Sequence, residues 1–428
     1  MSAWGLTAYR AATRAAGGAV FNRLLTRRAA SGKEDPARLD ERRGVAGAAR
    51  PEGALIWLHA ASVGESQLAL SLADGLLDAD KRREILITSG TRTSAALVAR
   101  RAEAGAHLRH QYPPADNPAW VRRFLDHWRP DLAVFTESEL WPNLILETQR
   151  SGAPLALANA RMNAKSLQGW RRWPHSAKAI MSAFDWIGAA DAQTAEGLAY
   201  LLDRPVTRTG NLKLEAGLPD PDPAAVRAVR AGLGDRPVFT AASTHAGEED
   251  IVIAAHAELL NAHPSAVMIL APRHPDRAED AAARVAAAGL SCTRRSHGAL
   301  PDGSAPVFLA DTLGEMALWY AVSPAAVVCG SFVEAIGGHN PIEATRAGSA
   351  VITGPYAASF SEVYAAYDQR GARAVARTPG EVAGAVAAVW AGSGVSVEAG
   401  LQALDALPTG ARAATLQALE TLLTEPRP

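Results

Sequence analysis

Four short stretches of this chain pass from an apolar run into a helix start through small, polar or acidic residues, and each carries groups able to do chemistry. In Ala61-Ser-Val-Gly-Glu65 the spacing from Ser62 to Glu65 is that of a capping box, in which the two side chains satisfy free amides at a helix N-terminus. A cap alone would use that spacing. Gly64, however, removes a side chain beside the carboxylate, which suits Glu65 to take a proton from an attacking hydroxyl. In Thr136-Glu-Ser-Glu-Leu-Trp-Pro-Asn143, Glu137 and Glu139 share one side of the strand if it continues that far. Two like charges so placed need water, a cation or a raised pKa. Arg161, in Asn159-Ala-Arg161, is the arginine that would pair with them in a purely structural arrangement.

The third stretch, Gly337-Gly-His-Asn-Pro-Ile-Glu343, runs from a glycine-rich loop into a helix, with Asn340 at the cap, Pro341 at the first helical position and Glu343 at the third. Free N–H groups at such a joint suit a phosphate or carboxylate. The fourth, Asp311-Thr-Leu-Gly-Glu315, repeats the capping-box spacing from Thr312 to Glu315 and offers amides and a carboxylate to a ribose or base. Countercharge comes from Lys213, in Gly210-Asn-Leu-Lys213, and from Arg273 and His274, which end an apolar run of the second half.

Continuous apolar runs at 54–60, 84–88, 131–136, 154–158, 186–190 and 205–209, each followed by a helical stretch, predict parallel strands covered on both faces. Runs at 237–241, 266–271, 306–310, 325–329, 350–353 and 372–376 repeat the pattern. The expected fold is therefore α/β, with two Rossmann-like, doubly wound parallel-sheet domains. Their boundaries fall at 31–216 and 224–428, with the proline-rich linker Gly217-Leu-Pro-Asp-Pro-Asp-Pro223 between them and a basic segment, 1–30, in front. This organisation predicts a central cleft between the carboxyl ends of the two sheets, where open α/β sheets bind ligands. Asp220 and Asp222 have a metal-binding spacing, but between prolines at a domain boundary they read as solvated linker.

With 43 basic and 44 acidic residues and 6% aromatic content, the chain has no electrostatic footprint for nucleic acid. Cys292 and Cys329 make neither a disulfide framework nor a four-cysteine zinc site, so a reducing cytoplasmic setting is the default. Nucleotide-fold glycine fingerprints, Walker A loops, His-Glu-x-x-His and Cys-x-x-Cys are absent from the sequence. Residues 1–30 hold five arginines and no acid, interleaved with Trp4, Leu6, Val20, Phe21, Leu24 and Leu25. Such a segment lies on an anionic membrane surface or packs as a basic helix on the domain; it is too interrupted to span. The uncharged stretch Met316–Val333 is broken by Ser323 and Pro324, so no transmembrane segment is expected.

Taken in order, Ser62-Val-Gly-Glu65, Glu137-Ser-Glu-Leu-Trp-Pro-Asn143, Asn159-Ala-Arg161, Gly210-Asn-Leu-Lys213, Ser243-Thr-His245, Pro272-Arg-His-Pro275, Asp311-Thr-Leu-Gly-Glu315 and Gly337-Gly-His-Asn-Pro-Ile-Glu343 resemble the 3-deoxy-D-manno-octulosonic acid (Kdo) transferases of lipopolysaccharide synthesis. The resemblance runs from about Gly32 to about Val363. It implies a glycosyltransferase of GT-B type, without metal or cofactor, that moves Kdo from CMP-Kdo to the lipid A precursor (lipid IVA) with inversion. Glu65 then falls on the family's base, and Glu137 and Lys213 on its transition-state-stabilising positions. Pro272, Arg273, Gly314, Glu315, Met316, Asn340, Pro341, Ile342 and Glu343 fall on CMP-binding positions. The first domain would take the acceptor and the second the donor, with the protein held peripherally or monotopically at the cytoplasmic face of the inner membrane. A transferase of another nucleotide sugar is the alternative reading. Departures lie at Thr88–Ser94, at Gly354-Pro-Tyr356, where the family has histidine third, and at Ser359-Phe360, where it has asparagine first.

Overall fold

The apolar runs of the first half form one seven-stranded sheet. In a computed structural model, which describes residues 4–15, 17–103, 105, 107–215 and 221–424, its strands are β1 (Leu55–Ala60), β2 (Glu84–Ser89), β3 (Leu108–Gln111), β4 (Leu132–Thr136), β5 (Leu155–Ala160), β6 (Trp186–Ala189) and β7 (Thr207–Arg208). They lie in the order β3-β2-β1-β4-β5-β6-β7, each paired in parallel with its neighbours. Successive residues of β1 serve opposite faces, as strand geometry requires. Leu55 and Trp57 join the core that includes Phe124 and Leu144, whereas Ile56 and Leu58 join the one that includes Leu68 and Leu72. Both faces are thus covered by helices, which explains why the strands read as unbroken apolar runs.

A second parallel sheet has the strands β8 (Val238–Thr244), β9 (Val267–Pro272), β10 (Cys292–Arg294), β11 (Val307–Leu309), β12 (Ala325–Val328), β13 (Ala350–Thr353) and β14 (Arg373–Val375). Their order is β10-β11-β9-β8-β12-β13-β14. The direction of winding reverses between β1 and β4 in the first sheet and between β8 and β12 in the second, so the connections leaving these strands part and open a crevice at each sheet's carboxyl edge.

The two missed strands, β3 and β10, are both sheet edges, with the polar sequences Leu-Arg-His-Gln and Cys-Thr-Arg. An edge strand is held on one side only and needs no long apolar run.

The chain divides into two compact units, and the division corrects the expected boundaries. Described residues up to 215 together with 409–424 form the first; 221–408 form the second. The expected second domain therefore loses its last helix, Ala411–Thr424, which packs on the first unit's helix Val63–Ala79. Leu419 is buried there, with Leu416, Leu422 and Leu423 against the same core. Gly75 permits the close approach: a Cβ on it would stand 2.5 Å from Leu416. The carboxylate of Glu215 accepts from the amides of Ala411 (2.6 Å) and Arg412 (3.2 Å), placing a negative charge at the positive end of the helix. Of the expected linker, residues 217–220, Asp220 included, lie outside the described residues; Asp222 caps the helix Pro223–Leu233 by accepting from Ala224 N–H at 2.8 Å.

The basic segment, apart from residues 1–3 and 16, which lie outside the described residues, forms the helices Trp4–Ala15 and Gly17–Ala30. The first is anchored to the domain. Tyr9 Oη donates to Asp116 at 2.7 Å, Arg10 to Glu147 at 2.5 Å, and Asn143 donates to Thr13 Oγ1 at 2.9 Å. Leu6 is buried on the same face. The docked face carries the polar side chains of Tyr9, Arg10 and Thr13 beside Leu6, so hydrogen bonds and an ion pair share the docking with apolar burial. No described helix is long and apolar enough to cross a membrane.

Leu419→Ala is expected to lower stability by about 2–5 kcal/mol, the range for a buried leucine truncated in a core. Chemical denaturation followed by tryptophan fluorescence measures it; a change below about 0.5 kcal/mol would contradict the placement of the C-terminal helix.

Candidate functional site

In the first unit, Glu65 opens the helix that follows β1. Ser62 is its N-cap, accepting from Glu65 N–H at 3.3 Å and donating its hydroxyl to Glu65 Oε1 at 2.8 Å. Ala61 N–H donates to Oε2 at 3.1 Å, and so, at 3.1 Å, does Thr136 Oγ1 from the end of β4. The capping geometry is therefore present, and the strand across the switch point holds the same carboxylate. Burial raises the pKa of Glu65, the charge of Glu137 raises it further, and the three donors only partly offset this. The result is an oriented carboxylate whose proton affinity exceeds that of a free glutamate.

Strand β4 ends at Thr136, so the expected continuation does not occur: Glu137 turns into the left-handed region with φ 56°. A non-glycine residue held there stores strain, which the structure around it must maintain. The cation that meets Glu137 is Lys213, in a direct ion pair with Oε1, rather than the Arg161 of the structural alternative, whose Nε lies 4.0 Å from Asp191. Glu139 accepts from Trp141 Nε1 at 2.7 Å; burial raises its pKa, with Glu65 and Glu137 adding to the effect.

Asn159 has a role that its sequence context did not disclose. The penultimate residue of β5, at φ 54°, it donates to Glu137 Oε1 at 3.4 Å and accepts from Leu212 N–H at 2.8 Å, tying the turn that carries Lys213 to the carboxylate that Lys213 faces. An asparagine at a strand end, being one of the few residues at ease in left-handed backbone, was the available signal. Glu65, Glu137 and Lys213 are thus gathered at one sheet's carboxyl edge.

In the second unit the expected donor residues gather at the carboxyl ends of β9, β11 and β12. Pro272 closes β9, and Arg273 N–H donates to Thr244 O of the adjacent β8 at 3.0 Å. The guanidinium of Arg273 is half-buried and, among the described residues, has neither a hydrogen bond nor an ion pair. Gly314 takes φ 85° ahead of the helix Met316–Val322, and Glu315 is engaged by Arg295 at 2.8 Å and by Thr312. Although burial raises the pKa of Glu315, these partners outweigh it and leave the group below the usual carboxylate range.

The Gly337–Glu343 stretch differs from expectation in two respects: the helix starts one residue later, with Pro341 rather than Asn340 at the cap position, and few of its amides are free. Its helix, Ile342–Arg346, has only five residues, and most of the amides expected to be free are used within the chain. Gly337 N–H donates to Val333 O (3.2 Å), Gly338 to Gly330 O (2.9 Å), His339 to Cys329 O (3.2 Å) and Ile342 to Asn340 Oδ1 (3.1 Å). The positive character of this edge therefore rests on side chains. Burial lifts Glu343 to about 7, against the opposing effects of Asn340 and Arg273. Buried Glu248 binds the unit's switch point together, accepting from Gly330 (2.8 Å), His245 (3.0 Å) and Phe332 (3.0 Å) N–H groups.

Two doubly wound parallel sheets, one with a held carboxylate and an acid–lysine pair and the other with an unpaired arginine at its switch point, make a protein of the GT-B fold class. Solved structures share the fold: a glycosyltransferase from Rickettsia africae ESF-5 (TM-score 0.58, 10% identity, 88% of this chain and all of that one) and a UDP-N-acetylglucosamine 2-epimerase from Listeria monocytogenes (0.57, 12%, 88% and 98%). The family described as 3-deoxy-D-manno-octulosonic-acid transferase (kdotransferase) matches residues 37–216. The 3-deoxy-D-manno-octulosonic acid transferase of Bordetella pertussis is 38% identical over 350 residues, 79% of each chain. A probable mitochondrial Kdo transferase of Arabidopsis thaliana is 34% identical over 351 residues, 79% of this chain and 77% of that one. The chain belongs to the Kdo transferase family, and its reaction is Kdo transfer in lipopolysaccharide synthesis.

Replacing Glu137 with Gln removes one of the charges that raise the Glu65 pKa and leaves Lys213 without its partner. Both changes favour ionised Glu65, so its pKa is expected to fall. Carboxyl 13C shifts of labelled glutamate followed against pH measure this, and an unchanged or higher midpoint would contradict the coupling.

Proposed function

We propose that the chain moves Kdo from CMP-Kdo to a hydroxyl of the lipid A precursor lipid IVA, with inversion and without a metal ion. The observation that carries this reading is the held, high-pKa carboxylate of Glu65 at the first unit's switch point. As base, Glu65 accepts the acceptor hydroxyl proton while that oxygen attacks the anomeric carbon from the face opposite the phosphate; one displacement inverts the centre. Lys213 and Glu137, fixed to each other, steady the charge that develops during transfer. Pro272, Arg273, Gly314, Glu315, Met316, Asn340, Pro341, Ile342 and Glu343 hold the nucleotide, with Arg273 facing the phosphate. Cationic side chains here take the part that a divalent ion plays in other transferases, and preorganised groups of this kind are worth roughly 3–4 kcal/mol each.

Incubation with CMP-Kdo and tetra-acylated lipid A precursor is expected to release CMP and yield a Kdo-bearing lipid; no release with active substrates would refute the reading. Glu65→Ala is expected to lower kcat about 10²–10⁴-fold, the usual contribution of a general base. CMP affinity should stay within about threefold, since the base belongs to the acceptor side.

We further propose that the protein sits peripherally on the cytoplasmic face of the inner membrane, through the surface around Trp4. Trp4 is 66% and Trp173 49% exposed, yet the two rings pack edge to face with centroids 5.4 Å apart. Arg171, Arg172 and Lys178 are exposed beside Trp173 in sequence, and Val20, Leu24, Arg23 and Arg27 are exposed on the second N-terminal helix. Exposed tryptophans among arginines suit an anionic headgroup layer. The Trp4→Ala/Trp173→Ala double variant should co-sediment with phosphatidylglycerol-containing vesicles at least several-fold less than the parent protein, and equal sedimentation would remove this surface from the account.

A further inference from the structure

The nucleotide reading leaves a pair of histidines without a task. His245, after β8, and His339, from the loop after β12, meet with their Nε2 atoms 2.8 Å apart. Their ring planes are inclined by only 18° and the centroids stand 5.0 Å apart, the separation expected from that N···N distance plus a ring radius on each side. The rings therefore lie end to end and nearly coplanar, joined by an N–H···N bond, not face to face. The arrangement is built into the backbone. Ser243, left-handed at φ 57° where the β8–β9 register shifts, sets the end of β8 just before His245, and Gly330 leaves room for the other ring, since a Cβ there would stand 2.7 Å from His339 Cδ2.

Such a bond has a defined proton capacity. In the neutral pair one ring donates through Nε2–H and the other accepts. One added proton goes to Nδ1 of the donor ring, keeping the bond and making it charge-assisted. A second would place two N–H groups head to head and break the contact. The pair is thus a one-proton store, and among the described residues neither Nδ1 has a hydrogen-bond partner.

Its surroundings keep that store empty until an anion arrives. From the end of β9 come Arg273, which is unpaired, and His274, whose ring centroid lies 6.0 Å from that of His245. The helix Glu248–Ala262 presents two carboxylates, but Glu248 is taken by three backbone amides, and Glu249 by Thr244 and by Arg277 at 2.5 Å. Glu343, bonded to Asn340, is held at about 7 and is largely protonated below that pH. Burial, followed by the charges of His245, Arg273 and His274, holds His339 down at about 4, and burial with His274 and Arg273 lowers His245.

We propose that the His245–His339 pair is the charge-compensating element of the nucleotide-phosphate site: neutral in the free protein, it takes up one proton from water when the phosphate binds beside Arg273. This rests on the reading that the second unit holds the nucleotide. As the bond from the anomeric carbon to the phosphate oxygen breaks, its electron pair stays on the phosphate, and the acceptor proton passes to Glu65. The proton already on the histidine pair then offsets the negative charge gained by the leaving nucleotide, and returns to water when the nucleotide departs.

The test is calorimetric titration of the full chain with CMP between pH 6 and 8.5, for the parent protein, His245→Gln and His339→Gln. Ionisation of CMP itself is common to all three and cancels in the ratio of variant to parent Kd. That ratio is expected to rise as pH falls, by up to tenfold per pH unit, for either substitution. The parent alone, titrated at pH 7.5 in buffers of different ionisation enthalpy, should show net proton uptake, a measurement that needs no variant to fold. A pH-independent ratio, or no uptake by the parent, overturns the proposal while leaving the nucleotide reading intact. No CMP binding by the parent at any pH overturns both.

Discussion

The ion pair between Lys213 and Glu137 is the contact on which the first unit's chemistry depends. Glu137 raises the cost of ionising Glu65, and both raise that of Glu139. One lysine, from a short turn at the end of the unit, is paired with Glu137, and it is not free to wander: Asn211 caps its turn and Asn159 joins that turn to Glu137. Charge balance and backbone path are therefore fixed by the same residues. Taking any one away would relax both, so the consequences of single substitutions here will not add.

The second unit has the opposite electrostatic problem. Among the described residues at its switch point, Glu248, Glu249 and Glu315 are each engaged within the chain and Glu343 is held at about 7, while Arg273 has no ion pair. Most of the loop amides are also engaged within the chain. Under the proposed reading, an anion at this edge would meet side chains mounted on a backbone largely satisfied within itself, which needs little rearrangement to receive it.

Much of this was legible in advance because central parallel strands must be apolar on both faces and because chemistry sits where they end. Eleven of the twelve expected strand starts match the observed ones within a residue, and Glu65, Glu137, Lys213 and Arg273 all follow such ends. What stayed hidden was hidden for physical reasons. Strands β3 and β10 lie at edges and carry polar residues. The first helix docks largely through the polar groups of Tyr9, Arg10 and Thr13, whose distant partners Asp116, Glu147 and Asn143 the sequence does not name. Asn159 and Thr136 act across the sheet on residues far away in sequence, and the His245–His339 bond joins two motifs that looked separate. Helix Ala411–Thr424 was assigned to the nearer unit because a sequence read in order gives no sign of a segment that returns.

That returning helix has a consequence for synthesis. The second unit is one unbroken stretch of chain, whereas the first needs residues from both sides of it. As the polypeptide emerges, the usual order of domain completion is reversed. The later-encoded unit has all its parts while Leu416 and Leu419 have yet to reach the helix that will cover them. Until then the nascent first unit shows an apolar strip along Val63–Ala79, and the helix that carries Glu65 gains its final packing only after the second unit has been made.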